Sequence, residues 1–377
     1  MDIIIREVLT ASDLKTFVEY PFKLYKDSPY WLPPLLEDEY NTLRRDKNPA
    51  FEHCLARYWL AERGGQVVGR VGAVYNRRHV EKWQQNYLRF GWLEMVDDPA
   101  VADALFGVVE VWARELGCTA IHGPLGFTDM DKEGMLIEGF DEMGTMACIY
   151  NPPYYPREME RLGFVKDVDW FEYQMTIPTT VNPEWDRRTE LVLERHHLHM
   201  LNPKRKSELL AYAPALFRMI DEEYAHLYST VPLTDAQVKV YTEQYFGFIN
   251  PDFAPMLLNE KNELVGFAIA MPSLSLALRK AKGRLFPFGF AHLLAALQKN
   301  DRADLYLIAV RSDYRAKGAH VPLMTQVWHA VAKRGITVVD ACPELETNLA
   351  VRTLWKHFDS RQNKKRRAYI KHLAVSS

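Results

Sequence analysis

The residues Arg315-Ala316-Lys317-Gly318-Ala319-His320 stand between an apolar run, Ala303 to Val310, and an amphipathic one, Val321 to Gly335. A strand feeding a helix through a tight basic loop is suited to holding an anion. The helix N-terminus exposes unpaired N–H donors and the positive end of its dipole. Gly318 allows the backbone to approach a phosphate where a Cβ would intrude, and Arg315 and Lys317 add charge. By composition alone, the same residues also describe a solvated surface turn.

Other clusters have plainer readings. "ERHHLHML" (Glu194 to Leu201) holds three histidines, and alternation in a strand, with His197 and His199 on one face, is expected rather than a metal site. "RQNKKRRAYIKH" (Arg361 to His372) is expected to be an edge strand protected by its lysines and arginines. "GPLGFTDMDKEGMLIEGFDEMG" carries Asp129, Asp131 and Glu133 without the ligand spacing of an EF-hand, and reads as an ordered loop near a site. "RLFPFGFAHLL" places Phe286, Phe288 and Phe290 close together, and a lid over the ligand cleft is expected of them. There is no nucleophile-elbow motif and no Walker A loop.

Bulk properties set the class. The chain has 377 residues, enough for two domains, with 48% hydrophobic and 25% charged residues, as in a soluble globular protein. The formal net charge of −2 speaks against nucleic acid and against an anionic membrane as partners. The four cysteines are scattered, which argues against zinc and disulfides and fits a reducing cytoplasm.

The elements that position the loop come in two copies. "LAERGGQVVGRVGAVYN" (Leu60 to Asn76) and "LLNEKNELVGFAIAMPS" (Leu257 to Ser273) both read strand, turn, strand, and Val-Gly recurs at Val68-Gly69 and Val265-Gly266. Each hairpin is followed by a helix with a glycine stop, Gly117 or Gly335, and a β-rich run. Asn151 and Asn348 then each precede a short helical segment. The halves differ by one insertion each: one around Leu274 to Asn300 in the second, one around Gly123 to Gly144 in the first. The expected domains are residues 1–178 and 186–377, joined through "TIPTTVNPEWD" (Thr176 to Asp186).

Hairpin, strand, basic glycine loop, helix, strand and Asn-led helix, in that order, resemble the GNAT superfamily of acyl-CoA-dependent N-acyltransferases. Arg315 and Gly318 match its (Arg/Gln)-x-x-Gly-x-(Gly/Ala) pyrophosphate motif, and "ETNLAVRTLWKHF" resembles its second motif. "PFKLYKDSPYW" (Pro21 to Trp31) is similar to a segment of tandem bacterial members. The resemblance implies an α/β fold of two tandem GNAT-like domains with one coenzyme site, in the second half. Val310, the loop residues Arg315 to His320, and Asn348 would hold acetyl-CoA or another acyl-CoA as co-substrate. The reaction implied is transfer of an acyl group, acetyl in the first instance, to the amine of a small molecule or peptide. Glu346, just before Asn348, is the carboxylate expected to act as general base; a helix-start carboxylate is its plainer reading.

The chain departs from the family pattern at several points. His320 stands where the motif has a small residue. Trp355 and Met159 stand where a tyrosine often acts as acid. The first half has Glu94, Asp97 and Asp98 where phosphates would sit, so it is expected to be free of cofactor. A non-catalytic binding protein of the same fold, or a Fem-like transferase using aminoacyl-tRNA, are the other classes; the net charge weighs against the latter.

Overall fold

The computed structural model describes residues 2–348, 352, 355 and 358–374. The first half runs β1 (Ile4–Glu7), α1 (Ala11–Leu24), α2 (Leu36–Leu43), β2 (Cys54–Arg63), β3 (Gln66–Asn76), α3 (Arg77–Trp83), β4 (Tyr87–Met95), α4 (Pro99–Glu115), β5 (Ala120–Gly123), β6 (Met135–Glu138), α5 (Tyr154–Arg161) and β7 (Val165–Thr176). The second runs α6 (Pro183–Arg195), β8 (Leu198–Leu201), α7 (Lys206–Glu223), α8 (Asp235–Tyr245), β9 (Met256–Asn259), β10 (Leu264–Pro272), α9 (Ser275–Ala281), α10 (Gly289–Gln298), β11 (Arg302–Val310), α11 (Ser312–Arg315), α12 (His320–Lys333), β12 (Val338–Ala341), β13 (Glu344–Leu345) and β14 (Asp359–His372). The segment after Asn348, expected to be a short helix, lies largely outside the described residues.

The repeat has a packing cause. In β3, a Cβ on Gly69 would lie 2.9 Å from Leu105 of α4; in β10, one on Gly266 would lie 3.1 Å from Leu323 of α12. Each glycine lets a helix settle onto the sheet, so the recurring Val-Gly pair marks helix–sheet contact rather than ligand binding. Gly117 and Gly335 have φ of +66° and +67° and stop α4 and α12, as the sequence predicts. Arg195 ends α6, and His197 sits in a left-handed turn before β8, so the expected alternation of His197 and His199 in one strand does not occur.

One sheet carries both halves, in the order β1-β2-β3-β4-β5-β14-β7-β12-β11-β10-β9-β8. The halves exchange their last strands. β14 pairs antiparallel with β5 and β6 of the first half, while β7 pairs with β12 and β13 of the second, and the two exchanged strands pair with each other. The basic stretch at Arg361 to His372 is therefore a central strand, not the solvated edge expected. Its charges are met by acids of β7. Lys364 and Arg366 are buried on Glu172, with Lys364 Nζ 3.2 Å from the carboxylate. Arg367 and Lys365 reach Asp169 at 2.7 and 3.1 Å.

Candidate active site

In both halves two parallel strands run together and then part. β4 and β5 pair from Tyr87 to Arg89, and the last bond runs from Leu125 N–H to the Phe90 carbonyl (2.8 Å). β11 and β12 pair from Arg302 to Leu305, and the last bond runs from Cys342 N–H to the Leu305 carbonyl (3.0 Å). Beyond these points one edge of each strand has no strand partner, and on β11 the Tyr224 hydroxyl donates to the Ile308 carbonyl (2.8 Å). A single cavity of about 550 Å³ spans both openings, touching Gly91 to Glu94 and Leu125 in the first half and Leu305 to Ile308 in the second. That volume is within the range of small-ligand sites. Apolar side chains such as Leu32, Trp92, Phe217, Phe248 and Met324 make much of its wall.

Polar groups enter the cavity from the segments linking β5 to β6 and β12 to β13. In the second half the link is Cys342-Pro343, and Glu344 follows on the cavity wall. One Glu344 oxygen accepts the indole N–H of Trp355 at 2.6 Å; the other has no hydrogen-bond partner among the described residues. Burial pushes this carboxyl up to about 8, against the opposing pull of the Trp355 bond. A carboxyl of raised pKa on a cavity wall has the acidity of a general base, although its second oxygen is itself buried. Glu346 is placed elsewhere. It pairs with Lys166 at 2.6 Å, accepts from the Asp169 N–H, and does not touch the cavity. The chain leaves β13 after Leu345, so Glu346 turns toward β7 instead. Of the two carboxylates of this segment, the structure puts Glu344 and not the expected Glu346 on the cavity wall, beside Trp355.

In the first half the link is the acidic loop, 124–134. Asp129, Asp131, Lys132 and Glu133 all reach the cavity. Asp131 accepts the N–H groups of Phe127 (2.7 Å) and Thr128 (3.1 Å), which fixes the turn. Burial pushes Asp129 and Asp131 up to about 6 and Glu133 well above the ordinary carboxyl range; it pushes Lys132 down. Asp131 is committed to the turn and burial drives Glu133 toward its neutral form, so Asp129 is the carboxylate of this wall left to meet a cation. Asn348 also lies on the cavity wall, and so does Asn151. The amide of Asn151 is committed to the Leu136 backbone, accepting at 2.7 Å and donating at 3.0 Å.

The basic loop lies outside the cavity, beyond the open edge of β11. Nine residues, 311–319, separate β11 from α12, against three, 96–98, between β4 and α4. Gly318 has φ +76°, and a Cβ there would meet nothing closer than 3.6 Å. Arg315 is exposed but tied down. It pairs with Glu223 and donates to the Val310 carbonyl (3.1 Å), so it braces the loop. Lys317 lies over the Tyr314 ring at 4.0 Å, Ala319 is buried, and Ala316 is exposed. His320 is half-buried, and burial lowers its pKa, so it is neutral at pH 7. In the first half the acids have structural partners: Glu94 pairs with buried Arg70, Asp97 pairs with Arg157, and Asp98 caps α4. Tyrosines cover the Met95 backbone there. Tyr155 accepts its N–H (2.8 Å) and Tyr154 donates to its carbonyl (2.6 Å).

Solved structures share the fold. A tandem GNAT protein from the clavulanic acid biosynthesis pathway superposes with a TM-score of 0.57 at 11% identity, covering all of both chains. A GCN5-related N-acetyltransferase from Sphaerobacter thermophilus gives 0.53 at 12% identity, over 100% of this chain and 98% of the other. The chain has a tandem GNAT fold. Among curated proteins, Protein YghO of Escherichia coli (strain K12) is 28% identical over 377 residues, covering 98% of this chain and 95% of the relative. A bacterial ceramide synthase of Caulobacter vibrioides is 26% identical over 343 residues, covering 89% and 87%. No family model matches the chain. Among the described residues no helix is long and apolar enough to cross a membrane, and no group of three His, Cys, Asp or Glu could hold a metal ion.

Proposed function

We propose that this protein is an N-acyltransferase that moves a long acyl group from acyl-CoA to the amine of an apolar acceptor. The observation that carries this reading is the continuous, largely apolar cavity joining the two strand openings, with Glu344 on its wall. The open edge of β11 supports a pantetheine arm, and the nine-residue loop with Gly318 supports phosphates outside. The residues fit such a co-substrate in shape more than in charge, because Arg315 is already paired. The first half contributes the acceptor wall and no coenzyme site. The relative from Caulobacter vibrioides favours a long chain, since a ceramide is the fatty amide of a long-chain amino alcohol.

Glu344 takes the proton from the acceptor amine. The nitrogen then attacks the thioester carbonyl carbon, the C–S bond breaks, and the thiolate recovers a proton as the amide forms. Backbone N–H groups of the open β11 edge would stabilise the oxyanion. Asp129 draws the cationic amine into the cavity before it loses its proton.

Two measurements test the assignments. Isothermal titration with coenzyme A should show about tenfold or weaker binding for Lys317→Glu and Gly318→Glu than for the unaltered chain. Lys317 is exposed, so its reversal leaves the backbone alone; equal affinity in both variants would remove the loop from the site. With a long-chain amine as acceptor, Asp129→Asn should raise its KM about tenfold and leave the KM for acyl-CoA in place. A change confined to acyl-CoA would reverse the assignment of the two ends.

A further inference from the structure

The phenylalanines of the insertion between β10 and β11 do not lie over the cavity. Phe286 and Phe288 are 78% and 76% exposed, and Phe290, Leu276 and Leu294 are exposed beside them. The lid expected from the sequence is therefore absent: these rings pack neither on the ligand cavity nor in the core between the halves. The rings of Phe286 and Phe290 are tilted at 41° to one another, 5.9 Å between centroids. On α10, Phe290 and Leu294 are one turn apart, and Ala291 and Ala295 extend the same exposed apolar strip. The opposite side of the hairpin is anchored. Leu274, Leu278, Ala281 and Leu293 pack on Leu32, and Leu36 N–H donates to the Gly283 carbonyl at 2.9 Å.

Charge on the hairpin has one sign. From Leu274 to Asn300 there are five lysines and arginines (Arg279, Lys280, Lys282, Arg284 and Lys299) and no aspartate or glutamate. Among the described residues the only ion pair that these five make is between Arg284 and Glu19, at 3.5 Å. Exposed aromatic rings at a loop tip, flanked by basic residues and firmly held from behind, have the make-up of an interfacial anchor. Phenylalanine enters the acyl boundary, while lysine and arginine meet anionic headgroups.

We propose that the α9–α10 hairpin docks this protein on an anionic lipid bilayer, through Phe286, Phe288 and Phe290 with the surrounding cations. The net charge of −2 conceals this, because it averages a local basic patch over the whole chain. The anchor also shares a wall with the site. Leu278 of α9 and the Trp31–Leu35 segment beneath the hairpin both line the cavity. Docking thus sets the apolar cavity beside the phase that holds long-chain substrates.

Vesicle flotation of the full chain tests the proposal without any acyl-transfer readout, so its failure is separate from failure of the enzymatic reading. The chain should float with vesicles containing a third phosphatidylglycerol, and less with pure phosphatidylcholine. Phe286→Ser with Phe288→Ser should cut the partition at least about tenfold, with an unchanged thermal midpoint because both rings are exposed. Lys280→Glu with Lys282→Glu should cut it by about tenfold or more on the anionic vesicles only. The proposal is overturned if the unaltered chain binds neither vesicle, or if binding survives the serine pair. It is equally overturned if sedimentation shows a dimer that the serine pair dissolves, which would make the patch a contact between copies.

Discussion

Glu344→Gln lowers kcat for amide formation by about 10²- to 10⁴-fold, the usual worth of a general base. Glutamine keeps the shape and can still accept the Trp355 indole N–H, so the cavity wall stays in place. What is lost is the oxygen that takes the amine proton. Coenzyme A affinity, measured by titration, should not move. The pH profile carries the sign. The carboxyl must be ionised to act, and burial holds its pKa up to about 8, so kcat/KM of the unaltered chain rises with pH through about 8. The variant loses that limb. Trp355→Phe removes a bond that favours the ionised form, so it should move the midpoint upward. If Glu344→Gln retains activity within about threefold, the base is elsewhere in the cavity.

Glu172→Ala should destabilise the fold by about 3–5 kcal/mol, the cost of leaving buried charge without its partner. Glu172 lies at the seam of the exchanged strands, where Arg366 and Lys364 converge on it. Burial alone would raise its pKa, but the two cations outweigh burial and hold the carboxyl below its ordinary value. A depressed carboxyl gives stability that is fully present above about pH 4.3 and lost as pH falls through the folded value. Urea unfolding at pH 7 and at progressively lower pH measures both effects. Because β7 and β14 each belong to the opposite half's sheet, the halves should unfold in one transition. Two separated transitions in the unaltered chain would show that the seam does not couple them. Replacing Glu172, Lys364 and Arg366 together with apolar residues should recover much of the loss.

The repeat, the helix stops and the long basic loop were legible in the sequence because their causes are local. Gly69 and Gly266 are needed wherever a helix lies close on a strand, and Gly117 and Gly335 wherever a helix ends in a left-handed turn. The spacing from hairpin to helix stop located the insertion of the second half, and that from helix stop to asparagine the insertion of the first, for the same reason: strand and helix lengths are short-range properties. Tertiary structure decided the rest. Which strand lies beside β5 or β12 depends on pairing across 252 residues (Ala120 with His372) or 162 (Thr176 with Val338), and the acids of β7 make a central position tolerable for the basic stretch, which composition alone assigns to an edge. Glu344 and Glu346 differ by two positions in sequence, yet one faces a buried cavity and the other Lys166, because the chain bends after Leu345. Phe286 and Phe288 looked destined for burial, as apolar rings usually are. They are exposed because the anchoring side of their hairpin is filled by Leu274, Leu278 and Leu293, and burial depends on what the rest of the chain brings to the other side.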